Sequence, residues 1–287
     1  MTATDSLAAV PRRRPPFDAV ADLYDRTRPG YPDEAVDDLV ELAGLPRRGS
    51  VLEIGAGTCQ LSVSLAERGY ALTAVELGPH LAERARRNLA SYPRVTVCTG
   101  RFEDVELAAG RFDMVTAATS FHWLDPATAY PRAASLLRPS GSLALLWNVH
   151  VDADQGYFAA SEEIYARIAP ELCGPGTSAR ARDRTVRARE IEASGCFGEV
   201  HIRSTPWRAQ YGASRYLDLL GTYSDHVELA PDRRARLFAA LRQLIETRFS
   251  GRVDKHYETI VYVAPLKPPV RPPLKAPPSP THTSVQA

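Results

Sequence analysis

Between residues 50 and 148, short apolar runs alternate with amphipathic stretches, and this alternation constrains the fold more than any other feature. The runs are SVLEI (50–54), ALTAVE (71–76), RVTVC (94–98), FDMVTAAT (112–119) and SLALLWN (142–148). Nearly continuous apolar character of this kind marks parallel strands covered on both faces. The intervening LSVSLAERG (61–69) and GPHLAERARRNLA (78–90) show helical spacing. Strands that alternate with helices imply βαβ crossovers and a doubly wound, Rossmann-like α/β sheet.

From about residue 150 the pattern changes. Residues 151–193 and 213–250 read as mainly helical and carry many aromatic residues, while EVHIRSTPW (199–207) and HYETIVYVAP (256–265) read as late strands. Five early and two late strands predict a seven-strand sheet, with a mainly helical cap over the edge where such sheets bind ligands. The expected organisation is a disordered segment over 1–16, a core over 17–150, and a cap and substrate region with one late strand over 151–250. A final strand over 251–266 and a disordered proline-rich tail over 267–287 complete it.

Composition narrows the function classes. The 35 basic and 34 acidic residues leave a net charge of +1, without the broad positive field of a nucleic-acid binder. Cys59, Cys98, Cys173 and Cys196 form no CxxC pair, so no metal site is expected and a reducing compartment is. The basic cluster PRRRPP follows the short apolar stretch at the amino terminus, the reverse of a secretory signal. No apolar run approaches the ~20 residues of a membrane span. The expectation is a cytoplasmic protein without membrane or nucleic-acid partners.

The sharpest chemical signal is Val51-Leu52-Glu53-Ile54-Gly55-Ala56-Gly57-Thr58-Cys59-Gln60, where a strand passes into a helix. Glycines let such a loop turn tightly and bring bare backbone against a ligand, and the helix beyond offers unpaired amides. Glu76, at the end of the second strand, can accept hydrogen bonds from both hydroxyls of an adenosine ribose. A dinucleotide fingerprint wants a third glycine where Gln60 stands, and Glu53 sets a carboxylate where a pyrophosphate would lie. That carboxylate suits a cationic amino-acid headgroup better.

With both carboxylates placed, the segment from Phe17 to about His150 resembles class I S-adenosylmethionine-dependent methyltransferases related to ubiquinone-type and trans-aconitate-type enzymes. The matching pieces are Tyr24-Asp25-Arg26-Thr27-Arg28-Pro29-Gly30-Tyr31-Pro32, Val51 to Thr58, Ala74-Val75-Glu76, Gly100-Arg101-Phe102-Glu103-Asp104 and Ser120-Phe121-His122-Trp123-Leu124-Asp125. The resemblance implies S-adenosylmethionine as methyl donor, S-adenosylhomocysteine as product, no metal, and a small-molecule acceptor methylated at O, N or C, in a tailoring step of secondary metabolism. It implies that Glu53, Gly55, Gly57 and Thr58 line the methionine end, Glu76 holds the ribose and Leu77 flanks the adenine. Phe102 and Glu103 would meet the adenine, Thr119 and Ser120 would face the sulfonium, and Tyr24 and Arg28 would close over the donor. Family members often carry a third glycine where this chain has Cys59.

Tyr24, His122 and His226 are the candidate catalytic side chains. His122 takes a proton from the acceptor or merely shapes the pocket; His226 is a second candidate base or a hydrogen-bonded cap residue. Tyr24 alternatively anchors the amino-terminal helix. The cap aromatics Tyr157, Phe158, Tyr165, Trp207, Tyr211, Tyr216 and Tyr223 are expected mostly to fill the cap's own core. Three other readings stay open: a nicotinamide oxidoreductase, an RNA methyltransferase and a donor-binding module without turnover.

Overall fold

A computed structural model of the chain describes residues 17–151, 156–173 and 184–268. The expected disordered ends, 1–16 and most of 267–287, lie outside the described residues. Seven strands form one sheet: β1 (Ser50–Ile54), β2 (Ala71–Glu76), β3 (Val95–Thr99), β4 (Phe112–Ala118), β5 (Leu137–His150), β6 (His201–Gly212) and β7 (Arg252–Pro265). Their order is β3-β2-β1-β4-β5-β7-β6. The pairs among β1 to β5 are parallel, and β7 runs antiparallel between β5 and β6.

The described helices of the core are α1 (Ala21–Thr27), α2 (Asp33–Leu42), α3 (Gln60–Glu67), α4 (Pro79–Asn88) and α5 (Pro126–Leu136). Those of the cap are α6 (Gly156–Ile168), α7 (Arg184–Ala193), α8 (Ala213–Leu220), α9 (Ser224–Val227) and α10 (Pro231–Arg248). Because side chains alternate across a strand, each apolar run feeds two cores. Val51, Leu72, Met114, Ala144 and Leu146 pack with Val36 and Leu39 of α2 and Leu61 and Leu65 of α3. Their neighbours Leu52, Val75, Val115, Leu143 and Leu145 pack on the other face with Tyr130 and Leu136 of α5 and Ile191 of α7. A third cluster joins Tyr157, Tyr216, Leu217, Leu237, Leu241 and Ile245 of the cap helices to Tyr211 of β6 and Tyr257 of β7.

The seven-strand sheet agrees with expectation and β7 falls within the final strand expected over 251–266, but β6 runs beyond the expected end at residue 207. β6 reaches Gly212 and β7 begins at Arg252, with Gly212 paired to Arg252. Apolar alternation is weak at these ends, because polar residues dominate 208–210 and 252–256. These extensions rise out of the sheet into the cap, where Tyr211 and Val253 are buried in the third cluster. The cap is therefore built partly from the paired ends of β6 and β7. β3 is an edge strand with Thr96 and Thr99 exposed, not a strand covered on both faces.

Strand order reverses between β1 and β4, so their carboxyl ends leave a crevice between the loops that follow them. Among the described residues no helix is long and apolar enough to cross a membrane.

Candidate active site

The loop after β1 and the loop after β4 meet at this crevice. Gly55 has φ +63, and a Cβ there would lie 2.8 Å from Cβ and 3.0 Å from Oγ of Ser120. Ser120 Oγ in turn donates to the Ile54 carbonyl at 2.5 Å. Gly55 is thus required by the approach of one loop to another. Gly57, at φ +59, has more room: its Cβ would meet the Tyr24 ring at 3.5 Å, an ordinary contact. Cys59 is fully buried and itself takes the left-handed backbone, φ +73, that a glycine adopts freely.

Around this loop lies a cavity of about 350 Å³. Glu76 is its fixed charge. The side chain is only 7% exposed; one carboxylate oxygen accepts from Gly57 N and the other from Gly78 N, each at 2.8 Å. Burial raises its carboxyl above the ordinary range against the opposing pull of those amides. Leu77, 42% exposed, Phe102 and Glu103 line the same space. The Phe102 carbonyl is held by Arg132 Nε at 2.6 Å. Phe17, Tyr24 and Trp123 contribute further walls, the Phe17 ring standing edge-on to the other two at 5.9 and 6.1 Å. Asp18 fastens this amino-terminal segment by accepting from the backbone amides of His80 and Leu81 at 2.8 and 3.0 Å.

A smaller cavity of about 80 Å³ adjoins it, sharing Tyr24, Gly55, Ala118 and Thr119 as a common wall. Its character is polar. Glu53 is 1% exposed, accepts from Ser62 Oγ, and is pushed up to about 7 by burial, with the nearby Glu76 charge adding to the shift. Thr119 sits at φ +57, unusual for a β-branched residue and a site of backbone strain. Its hydroxyl pairs with Tyr31 at 3.1 Å. Arg28 lies with its guanidinium 5.0 Å from the Tyr24 ring centroid and 4.6 Å from that of Tyr223. Its Nε donates to Thr222 Oγ1 at 2.9 Å and its Nη2 to the Thr222 carbonyl at 2.7 Å. Tyr223, Tyr257 and Asn148 close the far side.

A family profile described as a methyltransferase domain matches residues 51–141. An uncharacterised methyltransferase of Mycobacterium tuberculosis is 31% identical over 231 residues, covering 80% of this chain and 86% of that protein. The chain belongs to the class I S-adenosylmethionine-dependent methyltransferases. A ubiquinone biosynthesis O-methyltransferase of Xanthomonas euvesicatoria is 35% identical over 141 residues, 48% of this methyltransferase and 57% of that one. A solved structure of a type II methyltransferase from Anaeromyxobacter dehalogenans shares the fold, with a TM-score of 0.62 at 23% identity over 84% of this chain and 99% of that one.

The structure gathers most of the methyltransferase residues singled out in the sequence. Tyr24, Gly55, Gly57, Glu76, Leu77, Phe102, Glu103, Thr119 and Ser120 line the larger cavity; Glu53, Arg28 and again Tyr24 line the smaller. Arg28 was expected over the donor, whereas its guanidinium is engaged by Thr222 of the cap. Thr58 reaches neither cavity: it is buried, with its hydroxyl accepting from Gln60 Nε2 at 2.7 Å. Neither His122 nor His226 lines either of these two cavities. The 3-10 turn Phe121–Trp123 sends successive side chains in three directions. Phe121 enters the core, Trp123 the cavity, and His122 Nδ1 takes Trp147 Nε1–H at 3.3 Å. His226 is buried in the cap between Asp225 Oδ1 at 2.7 Å and the Tyr165 hydroxyl at 2.9 Å. Of the cap aromatics, only Tyr223 lines a cavity; the others in that set pack in the cap cluster. Sequence reasoning missed Phe17, Asp18, Asn148 and Tyr257. Asn148 alone carried a signal, as a polar residue ending a strand at the binding edge.

Proposed function

We propose that the larger cavity holds the adenosine portion of S-adenosylmethionine and that the smaller one adjoins its amino-acid end and the acceptor's reacting atom. The chain then methylates an O, N or C atom of a small molecule and releases S-adenosylhomocysteine. One observation carries this reading. Glu76 is a buried carboxylate held by two backbone amides, at a cavity bounded by a glycine loop in which Gly57 meets only the Tyr24 ring at ordinary contact distance. Each carboxylate oxygen keeps a second lone pair, so both can also accept from ribose hydroxyls. Leu77 and Phe102 offer apolar surface to a base, and Glu103 an acceptor for its amine. Glu53 from β1 and Glu76 from β2 border the glycine loop, which favours a cationic donor over a pyrophosphate, while the cations Arg28 and Arg101 stand in the walls of the smaller and larger cavities.

S-adenosylmethionine supplies a sulfonium-bound methyl carbon with a neutral thioether as leaving group. Alignment therefore supplies most of the rate. Tyr24 and Thr119, in the shared wall, border both cavities and are suited to fix the line of attack. The Thr119 backbone N–H donates a hydrogen bond to the Leu146 carbonyl at 2.8 Å, bracing its strained backbone. The polar lining of the smaller cavity supports an acceptor with a polar reacting group, and the Xanthomonas relative supports a small molecule. A tailoring step in secondary metabolism fits this reading.

The test is ligand-induced stabilisation. S-adenosylmethionine and S-adenosylhomocysteine should raise the Tm, by the equivalent of about 2.7 kcal/mol at a hundred times Kd. A shift with NAD and none with either donor compound would overturn the reading. Incubation with labelled donor and a metabolite extract, followed by mass spectrometry for a gain of one methylene, then identifies the acceptor.

A further inference from the structure

We propose that Tyr223, which lines the smaller cavity beside the cations Lys255 and Arg28, takes the proton from a hydroxyl- or amine-bearing acceptor seated there. The proposal rests on the methyltransferase reading and names the base for that reaction.

The geometry begins with Lys255. It lies in the part of β7 that rises into the cap and is only 5% exposed. A buried ammonium calls for a counter-charge. The groups set around it are aromatic: its Nζ lies 5.5 Å from the ring centroids of Phe158 and Tyr223 and 5.4 Å from that of Tyr257. Arg28 also stands near Tyr223, 4.6 Å from the ring centroid and anchored to neighbouring Thr222. Tyr223 is therefore close to two cations, and it lines the cavity that shares a wall with the donor space.

The other tyrosines of this region are held the opposite way. Tyr257 stacks on Trp207 at 4.4 Å and shares a hydroxyl contact with Tyr211 at 3.3 Å. Burial, with the neighbouring Tyr223, raises its phenol, and burial also raises Tyr24, Tyr31 and Tyr211. Burial acts on Tyr223 too, but the charges of Lys255 and Arg28, with hydrogen bonds to Lys255 and Tyr257, outweigh it and leave the phenol below its ordinary range. The remaining titratable neighbours are Tyr165 from α6, Tyr216 from α8 and His226 from the same turn. The rival base is Glu53, which lines the same cavity but accepts from Ser62.

In the step itself, the acceptor's O–H or N–H bond breaks and its proton goes to the Tyr223 oxygen. The acceptor's electron pair forms the bond to the methyl carbon, and the carbon–sulfur pair departs on sulfur. The phenol then returns the proton to solvent once product leaves.

The test reads near-ultraviolet phenolate absorbance against pH on the ligand-free protein, its Tyr223→Phe variant and its Lys255→Met variant. Wild type should show one tyrosine ionising well before the rest. That ionisation should vanish in Tyr223→Phe and move up in Lys255→Met. With labelled donor and a metabolite extract as acceptor source, wild-type methylation should rise with pH through the same ionisation. Tyr223→Phe should lose that limb and about a hundred-fold in rate, with S-adenosylhomocysteine affinity unchanged. An early ionisation that is missing, or that survives in Tyr223→Phe, overturns the proposal while donor binding still supports the methyltransferase reading. So does an unchanged pH limb in the variant. Absence of donor binding by wild type overturns both.

Discussion

The two cavities differ in how their charges are held. In the larger one, Glu76 is fixed by backbone amides of its own loop and of the adjacent glycine loop, 2 and 19 residues away in sequence. In the smaller one, Arg28 is fixed by Thr222, 194 residues away, and the cations near Tyr223 come from the end of α1 and from β7. A backbone-held charge follows from the strand–loop–helix unit itself, so it serves what every donor molecule shares. A charge held by side chains from the cap can change without disturbing the sheet, which is where acceptor choice belongs. The contrast fits a division between a constant donor half and an adaptable acceptor half.

The largest effect that sharpens this contrast comes from the two loop glycines. Gly55→Ala forces a Cβ against Ser120 at a positive φ. It should cost about 2–5 kcal/mol, from roughly 1–2 for the backbone and roughly 1–3 for overpacking. Gly57→Ala meets only ordinary contact with Tyr24, so its stability cost should stay near about 1–2 kcal/mol while donor affinity falls. Urea unfolding of both variants checks this. Equal destabilisation would mean that the two glycines do not separate wall from lining.

Glu53 tests the smaller cavity through pH. Its carboxyl is pushed up to about 7 in the folded chain from an ordinary value of 4.5. Between those values the folded state holds a proton that the unfolded state has lost, so stability falls as pH rises through this window. At about 1.4 kcal/mol per unit, the loss approaches roughly 3 kcal/mol by pH values above the window. Glu53→Gln should flatten this dependence in unfolding curves taken from acid to alkaline pH. A variant with the wild-type slope would remove Glu53 as its source.

A smaller effect is expected from Thr222→Val, which removes the hydroxyl that accepts from Arg28 Nε and donates to the Leu219 carbonyl. Stability should fall by about 1.5 kcal/mol. S-adenosylhomocysteine affinity, measured by calorimetry, should not change. A matching loss of donor affinity would show that the cavities are not separable.

The same contrast explains what the sequence made legible. Strand and helix periods, the glycine loop and Glu76 are all local signals, and the structure sets them as read. Cys59 takes a left-handed conformation of the kind a glycine adopts freely. Grouping across the cap was not legible, because a period describes one element at a time. Lys255 sits in a polar stretch, DKHYE, whose composition carries no sign of burial, yet pairing of β6 to β7 carries it into the cap core. His122 follows Ser120 closely in sequence, but the 3-10 turn directs it to Trp147. Asp18 carried no signal, since its partners are backbone amides 62 and 63 residues away.

The central claim is that Glu76 holds an adenosine ribose, and one comparison of affinities tests it most directly. Binding of S-adenosylhomocysteine and of its 2′,3′-dideoxy analogue is measured by calorimetry on wild type and Glu76→Ala. The variant should lose about ten- to a hundred-fold with the parent compound, the worth of charge-assisted hydrogen bonds of about 1.5–3 kcal/mol. It should lose little with the analogue, because the hydroxyls that Glu76 would accept from are absent. Equal losses with both compounds would contradict the account, showing that Glu76 only braces the loop through Gly57 and Gly78.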